Sequence, residues 1–395
     1  MARTYSLAIL QTHPIQYFAP LYQRLAQEEQ LDLTVYYCSR QGLERYVDAG
    51  FGAEVQWDID LLSGYRAEFL PNMRNVERIN GFFSLVNPGI IQALRRNRHD
   101  ALWVHGHNYL TLQIAFAAAR LLGTALFMRS ETHLLLQRST IKNRVRRPIM
   151  SAFYTQFKAL LAIGTRNAAF YRYHGVPDSR IHLVPYTVNN DYFISASRRY
   201  AQQSDSLRGK YHLDYAKPVI LYASKLTRRK HPDHLLQAYR HVREQGVQAQ
   251  LVYVGSGEEE ANLKTYVAQH DVPDVHFMGF RNQSELPAFY ALADVFVLPA
   301  ENEPWGLIIN EVMCAGLPVI ASAEVGAVPD LVHHGENGYT FEATDVATLG
   351  KHLQTLCEDD ALRQKMGQRS LDIIQQWSYE DAVCGVLNAL STLGA

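Results

Sequence analysis

The sequence predicts two Rossmann-like α/β domains in series, and three observations lead to that class. At 395 residues the chain exceeds what one ordinary hydrophobic core organises. Short apolar, β-rich runs alternate with longer stretches of helical period, the pattern of parallel strands joined by crossover helices. The alternation lapses once, from Asn189 to about Tyr215, and then restarts.

In the first half the strand-like runs are Ser6–Gln11, Leu31–Ser39, Asp100–Gly106, Ala125–Ser130, Leu160–Gly164 and Ile181–Tyr186. Helical patterns fall between them, for example Ile15–Gln27 and Leu112–Leu122. The lapse holds Ser-Ala-Ser, Arg-Arg and Gln-Gln-Ser-Asp-Ser, a polar stretch that reads as the inter-domain connection. Strands resume at Pro218–Ser224, Ala249–Gly255, Val275–Phe280, Asp294–Pro299 and Leu317–Ala323. Two such halves imply a crevice at the carboxyl ends of both sets of strands, where open α/β sheets bind ligands.

Composition sets limits on function. Hydrophobic residues make up 47% and charged residues 19%, as in ordinary globular proteins. No run approaches the roughly 18 apolar residues of a membrane-spanning helix. The N-terminus lacks the long apolar region and cleavage site of a signal peptide, so a cytoplasmic chain is expected. Cys38, Cys314, Cys357 and Cys384 are scattered without metal-type spacing and read as reduced thiols. The net charge of −1 conceals an asymmetry: residues 1–190 hold 21 Lys and Arg against 13 Asp and Glu, and the remainder holds 17 against 26. A general nucleic-acid binder would carry a basic excess overall, so nucleic acid is excluded as a partner.

The segment richest in chemistry runs Glu303-Pro-Trp-Gly-Leu-Ile-Ile-Asn-Glu311 and continues through Cys-Ala-Gly316-Leu-Pro318. It follows the strand Asp294–Pro299, so Glu303 leaves a strand end and Glu311 falls about two turns into the next helix. Eight residues is close to two turns, which puts both carboxylates on one face. Gly306 allows a sharp turn, and the N–H groups opening the helix, from Leu307 onward, attract phosphate. Two glutamates at this spacing are common by chance; the ordered combination of strand, Pro, Glu, Gly, Glu and Gly-Leu-Pro is what is specific.

This segment resembles glycosyltransferase family 4, retaining enzymes of the GT-B fold, whose hallmark is Glu–seven residues–Glu. The resemblance implies two facing Rossmann-like domains with a C-terminal helix crossing back to the first. It divides the chain into an acceptor-binding domain over 1–195 with 378–395, and a donor-binding domain over 196–377. It places Glu303 against the transferring sugar and Glu311 on the ribose hydroxyls, a natural task for a carboxylate. Leu221-Tyr-Ala-Ser-Lys225-Leu-Thr-Arg-Arg-Lys230 is similar to the family's strand–Gly–Arg–Leu…Lys–Gly segment, with Lys225 in place of Arg and with Ser224 and His231 in place of the glycines. Lys225 and Lys230 would neutralise the donor diphosphate as it leaves. Gly255 in Val254-Gly-Ser-Gly257 and Gly279 after Val275 match the family's glycine-bearing strand ends. Gly326-Ala-Val-Pro-Asp330 resembles the loop whose N–H groups reach the diphosphate, and His334–Gly338 is the turn after it. Gln376-Trp377-Ser378 looks like the kink before the crossing helix.

The first half departs from the pattern. Where relatives carry a Gly-Gly loop, this chain has Thr12-His13-Pro14-Ile15-Gln16, similar to a His-Pro-Ile-Gln subset of bacterial members; His13 and Gln16 are acceptor-side candidates or a structural cap. His105 matches a strand-end histidine near the sugar and joins Glu303 and Lys230 as the expected catalytic set. His105, His107 and His133 are a weaker alternative as a metal site. Glu131, closing another strand, is an acceptor-side candidate. Asp58-Ile-Asp60 imitates a metal motif without a nucleotide-binding context, so no metal or other cofactor is expected. Residues 138–158 interleave Arg138, Lys142, Arg144, Arg146, Arg147 and Lys158 with apolar positions. That reads as a basic amphipathic helix, either docking on the cytoplasmic face of an anionic membrane or covering an ordinary core.

The expected activity is a metal-independent, retaining transfer of a sugar from a nucleoside diphosphate sugar, UDP-linked first among them. The acceptor is a hydroxyl on a glycan or lipid-linked glycan in bacterial polysaccharide synthesis. A non-catalytic nucleotide-sugar-binding protein and a nucleotide-sugar epimerase stand as the alternatives.

Overall fold

The computed structural model describes residues 3–43, 45–48, 53–55, 57–74, 79–136 and 140–394, and the side chains of all of these except 46–48, 53–55 and 140–145. The chain forms two compact units. One comprises Met1–Tyr46, Ile59–Tyr186 and Tyr379–Ala395; the other comprises Val47–Asp58 and Thr187–Ser378.

The first unit is built on strands β1 (Tyr5–Gln11) and β2 (Leu31–Tyr37). A short ribbon follows in the chain, β3 (Tyr46–Asp48) and β4 (Ala53–Val55), which falls almost wholly in the second unit, and then come β5 (Arg66–Phe69), β6 (Ala101–His105), β7 (Ala125–Arg129), β8 (Ala159–Ala162) and β9 (Ile181–Leu183) of the first. Apart from the ribbon they form one parallel sheet in the order β5-β2-β1-β6-β7-β8-β9. Leu7 to Leu10 have no exposed surface because helices cover both faces, which is why β1 reads as an unbroken apolar run. The C-terminal helix Tyr379–Ser391 belongs to this unit: it packs on β8, β9 and the helix Ala19–Leu25, and Arg24 Nε donates to Glu380 at 3.2 Å.

The second unit contains β10 (Val219–Ala223), β11 (Gln250–Val254), β12 (Val275–Phe277), β13 (Val295–Leu298), β14 (Val319–Ser322) and β15 (Gly338–Phe341). They form a parallel sheet in the order β12-β11-β10-β13-β14-β15. In each unit the strand order reverses at one place, between β1 and β6 and between β10 and β13. The loops leaving those four strands therefore flank the crevices where doubly wound sheets bind ligands.

Four expectations are corrected. The polar stretch read as a connection folds into two helices, Asn190–Ala201 and Ser204–Lys210. Asn189 caps the first by accepting from Tyr192 N at 3.0 Å, and Phe193, Ala196 and Ser197 bury one face at helical spacing against Leu286–Leu292 and Ile308–Cys314. The helix expected from Ile15 begins at Ala19, after a turn closed by Phe18 N on Ile15 O at 3.0 Å. The basic helix spans Thr140–Tyr154 and stops before Lys158, whose N–H joins Leu126 O at 2.9 Å. Tyr154 and Phe157 are buried in the core of the first unit, with Met150 and Phe153 packed against it, while Ile149 of the same helix is exposed. Arg138 lies outside the described residues. Finally, the helix after Glu303 starts only at Ile308, so Glu311 sits in its first turn.

Candidate active site

In the second unit the loops after β10 and β13 are tied together. Glu301 N donates to Arg229 O at 2.9 Å, and Asn302 takes a left-handed conformation at φ 49°. Beyond this bend the Glu303 side chain turns inward and is largely buried. Its Oε2 receives Lys230 Nζ and, at 3.1 Å, Arg229 Nη1, which also donates to Asn302 O at 2.8 Å. Burial pulls the Lys230 ammonium down from its ordinary range, while the Glu303 carboxylate pulls the other way. The outcome is a carboxylate at the switch point of the sheet that holds one buried cation, Lys230, and one exposed cation, Arg229. Lys225 lies near enough for its charge to oppose that of Lys230.

Glu311 is placed differently. It has no exposed surface and its Oε2 accepts from Tyr290 Oη at 2.5 Å, so the carboxylate expected to lie open to a ligand is covered. The reason is the path between the glutamates. Gly306 adopts φ 93°, and a Cβ there would come within 3.0 Å of Val325, so the chain turns sharply and helix begins only afterwards. Trp305 Nε1 donates to Asn310 Oδ1 at 3.0 Å and the ring stacks on Trp377 at 5.8 Å, which fixes the turn. Leu307 is half-buried at the head of that helix.

The loop at Gly326 also departs from expectation. Gly326 N and Ala327 N donate to Glu303 O at 2.9 Å and Trp305 O at 3.0 Å, and a Cβ on Gly326 would stand 2.0 Å from Pro304 O. These two N–H groups brace the glutamate loop. Gly255 and Gly279 are joined strand end to strand end, Gly255 N donating to Gly279 O at 2.8 Å. His231, Asp233 and His234 offer ligand atoms within 4.8 Å of one another, the one such group of three among the described residues; His105, His107 and His133 form none. Asp60 caps a turn by accepting from Leu62 N and Ser63 N at 3.0 and 3.1 Å, and Asp58 accepts from Ser284 N at 3.3 Å.

In the first unit, the loops after β1 and β6 and the end of β7 line a cavity of about 880 Å³. His105 is held by Tyr22 Oη at 3.1 Å, stacks on Trp103 at 5.2 Å and meets Phe18 edge-on at 4.6 Å. Burial, then the neighbouring Arg129, drives its pKa well below the ordinary value, so the ring is neutral. His13 is pushed down to about 4 by burial and pairs with Thr12 Oγ1 at 3.0 Å; Gln16 is buried three residues on, its Oε1 without a hydrogen-bond partner among the described residues. His13 and Gln16 do not themselves line that cavity. Glu131 does, and is hydrogen-bonded to Tyr186. Sequence reasoning missed Arg129, Arg229 and Tyr290. Arg229 was visible beside Lys230, but nothing local marks Arg129 or Tyr290, whose partners arrive from distant strands and helices.

Two doubly wound parallel sheets, each with polar loops at its switch point, define a protein of the GT-B class. Residues 16–187 match the family model described as glycosyl transferase 4-like domain, and residues 203–372 match that of glycosyl transferases group 1. The chain belongs to the GT-B glycosyltransferases. It is 26% identical over 193 residues to the N-acetyl-alpha-D-glucosaminyl L-malate synthase of Bacillus anthracis, a match covering 48% of this chain and about half, 50%, of that relative's length. The sucrose-phosphate synthase from Thermosynechococcus elongatus superposes with a TM-score of 0.72 at 18% identity, covering 99% of both chains. Anabaena HepE in complex with UDP-glucose gives 0.69 at 16% identity, covering 98% of this chain and 100% of that one. No described helix is long and apolar enough to cross a membrane.

Proposed function

We propose that the chain is a retaining glycosyltransferase that takes a sugar from a nucleoside diphosphate sugar, UDP-linked first among candidates, without a metal. The acceptor in this reading is a hydroxyl of a glycan or lipid-linked glycan in bacterial polysaccharide synthesis. The observation that carries it is the Arg229–Lys230–Glu303 cluster at the switch point of the second unit. A diphosphate leaving group needs positive charge where it departs, and Lys225, Arg229 and Lys230 supply it, Lys230 from a buried position. Glu303 holds Lys230 ready and, once the diphosphate takes over the cations, has its oxygens to offer the sugar hydroxyls. Glu311 is the ribose clamp, held by Tyr290, and nucleotide binding has to uncover it. His105 in this reading is a neutral hydrogen-bonding group for a sugar hydroxyl. HepE, solved with UDP-glucose, supports the choice of donor.

The test is calorimetry against UDP-, GDP-, ADP- and dTDP-sugars, followed by donor turnover. Binding of one sugar nucleotide with slow hydrolysis in the absence of acceptor is expected. Binding without any hydrolysis or transfer would mean a non-catalytic binder, and a changed sugar in the recovered nucleotide would mean an epimerase.

A further inference from the structure

The first unit holds a cation that the donor site does not use. Arg129, the last residue of β7, is 1% exposed, and its Nε and Nη1 have no hydrogen-bond partner among the described residues. Leaving a guanidinium buried and unbonded is costly, so a fold that keeps one has something for it to bind. Its setting is built. The guanidinium lies against Tyr186, Phe18 and Trp103, with its carbon 4.8, 5.4 and 6.0 Å from the ring centroids. These aromatic contacts hold a flat cation in one orientation and stabilise its charge, but they satisfy none of its N–H groups.

The side chain lines the cavity of the first unit together with Ser130, Thr132 and Asn108. Arg146 and Arg147, both exposed, line the same cavity and add positive charge. The acidic residue of that lining, Glu131, is exposed and hydrogen-bonded to Tyr186; its charge favours the Arg129 cation without hydrogen-bonding its Nε or Nη1. A planar fork of donors in such a place matches one chemistry, a carboxylate or phosphate bound through two oxygens.

We propose that Arg129 anchors an acceptor subsite for an anionic group, so that the hydroxyl to be glycosylated belongs to a molecule bearing a carboxylate or a phosphate. This rests on the transferase reading for the word acceptor; the anion site itself stands on the geometry of the first unit alone. Arg129 fixes the anionic end, Arg146 and Arg147 draw it in, and the neutral His105 beside Arg129 leaves the positive charge of the pocket on the arginines.

The experiment uses the full chain saturated with UDP, which fills any phosphate site of the second unit, and titrates inorganic phosphate and, separately, malonate. Wild type should bind at least one of the two, and which one binds tells phosphate from carboxylate. Arg129→Gln should weaken that binding by about tenfold or more, the loss of a charge-assisted hydrogen bond. UDP affinity should stay within twofold, which checks the fold of the variant. Arg129→Lys, which keeps the charge and loses the fork, should fall between, and it decides the matter if the Gln variant does not fold. Phosphate should also perturb the fluorescence of Trp103, read as the signal lost in Trp103→Phe. Unchanged anion affinity in the Arg129 variants, or no binding of either anion to wild type, overturns the proposal. Failure of UDP to bind counts against the transferase reading alone, and the titration without UDP still decides for or against the subsite.

Discussion

Glu303 and Glu311 stand eight residues apart yet live in different surroundings. One is paired with Lys230 and Arg229, the other sealed and held by Tyr290. Their loss should therefore be felt differently. Glu311→Ala should weaken UDP and UDP-sugar alike, by about 1.5–3 kcal/mol or roughly ten- to more than a hundredfold, since ribose is common to both. Glu303→Ala should weaken the UDP-sugar more than UDP, and Lys230, relieved of its partner, is freer for the diphosphate of either. Calorimetry of both variants with both ligands gives four affinities; equal losses for Glu303→Ala on the two, or none for Glu311→Ala, would mean the carboxylate roles are assigned wrongly. The glutamates and Lys230 were legible because a motif orders them along the chain. The cover over Glu311 was not: Tyr290 lies in another helix, and only tertiary packing brings it there.

At the scale of elements, the buried strands were the most legible part of the fold, because a strand covered on both faces leaves an unbroken apolar run, as in β1, β6 and β10. The edges were not. β5 carries Arg66 and Glu68 and is only partly buried, and β15 opens on Gly338, so neither gives such a run. The helix Asn190–Ala201 was hidden for a related reason: three buried residues in twelve suffice to dock it, and the rest of its surface is polar. The basic helix Thr140–Tyr154 shows how packing settles what a pattern leaves open. Tyr154 and Phe157 are 1% exposed in the core, while Arg146 and Arg147 face outward. Arg146 and Arg147 would then give any attachment to an anionic membrane an electrostatic part. Cosedimentation of Arg146→Ala/Arg147→Ala with phosphatidylserine vesicles should show weaker binding than wild type at low salt, with the difference erased at about 0.5 M salt where screening is strong. Equal sedimentation of the two proteins at low salt would remove the membrane role.

Over the whole molecule, charge is arranged by function in place of a uniform balance: the first half is net basic and the second net acidic, yet the second keeps Lys225, Arg229 and Lys230 together at one switch point. If those cations do the work of a metal, turnover should persist in excess chelator, and activity lost to chelator but restored by magnesium or manganese would refute that. The burial of neutral histidines adds a pH dependence whose sign is fixed. His13 is pushed down to about 4 and His105 well below its ordinary value of 6.5. In the unfolded chain both take a proton near pH 6.5; in the folded chain His13 does so only near pH 4 and His105 well below its ordinary value. Between those limits the unfolded state holds more protons, so stability is complete above about pH 6.5 and is lost as pH falls. Each histidine adds at most about 1.4 kcal/mol per pH unit to that loss. Urea unfolding of the first unit, followed through Trp103 fluorescence at pH 7.5 and pH 5.5, should show wild type markedly less stable at the lower pH. Replacing His13 by Gln should flatten the dependence by that amount in the same window, whatever it does to stability at pH 7.5. An undiminished slope in the variant would show that His13 takes its proton as readily folded as unfolded.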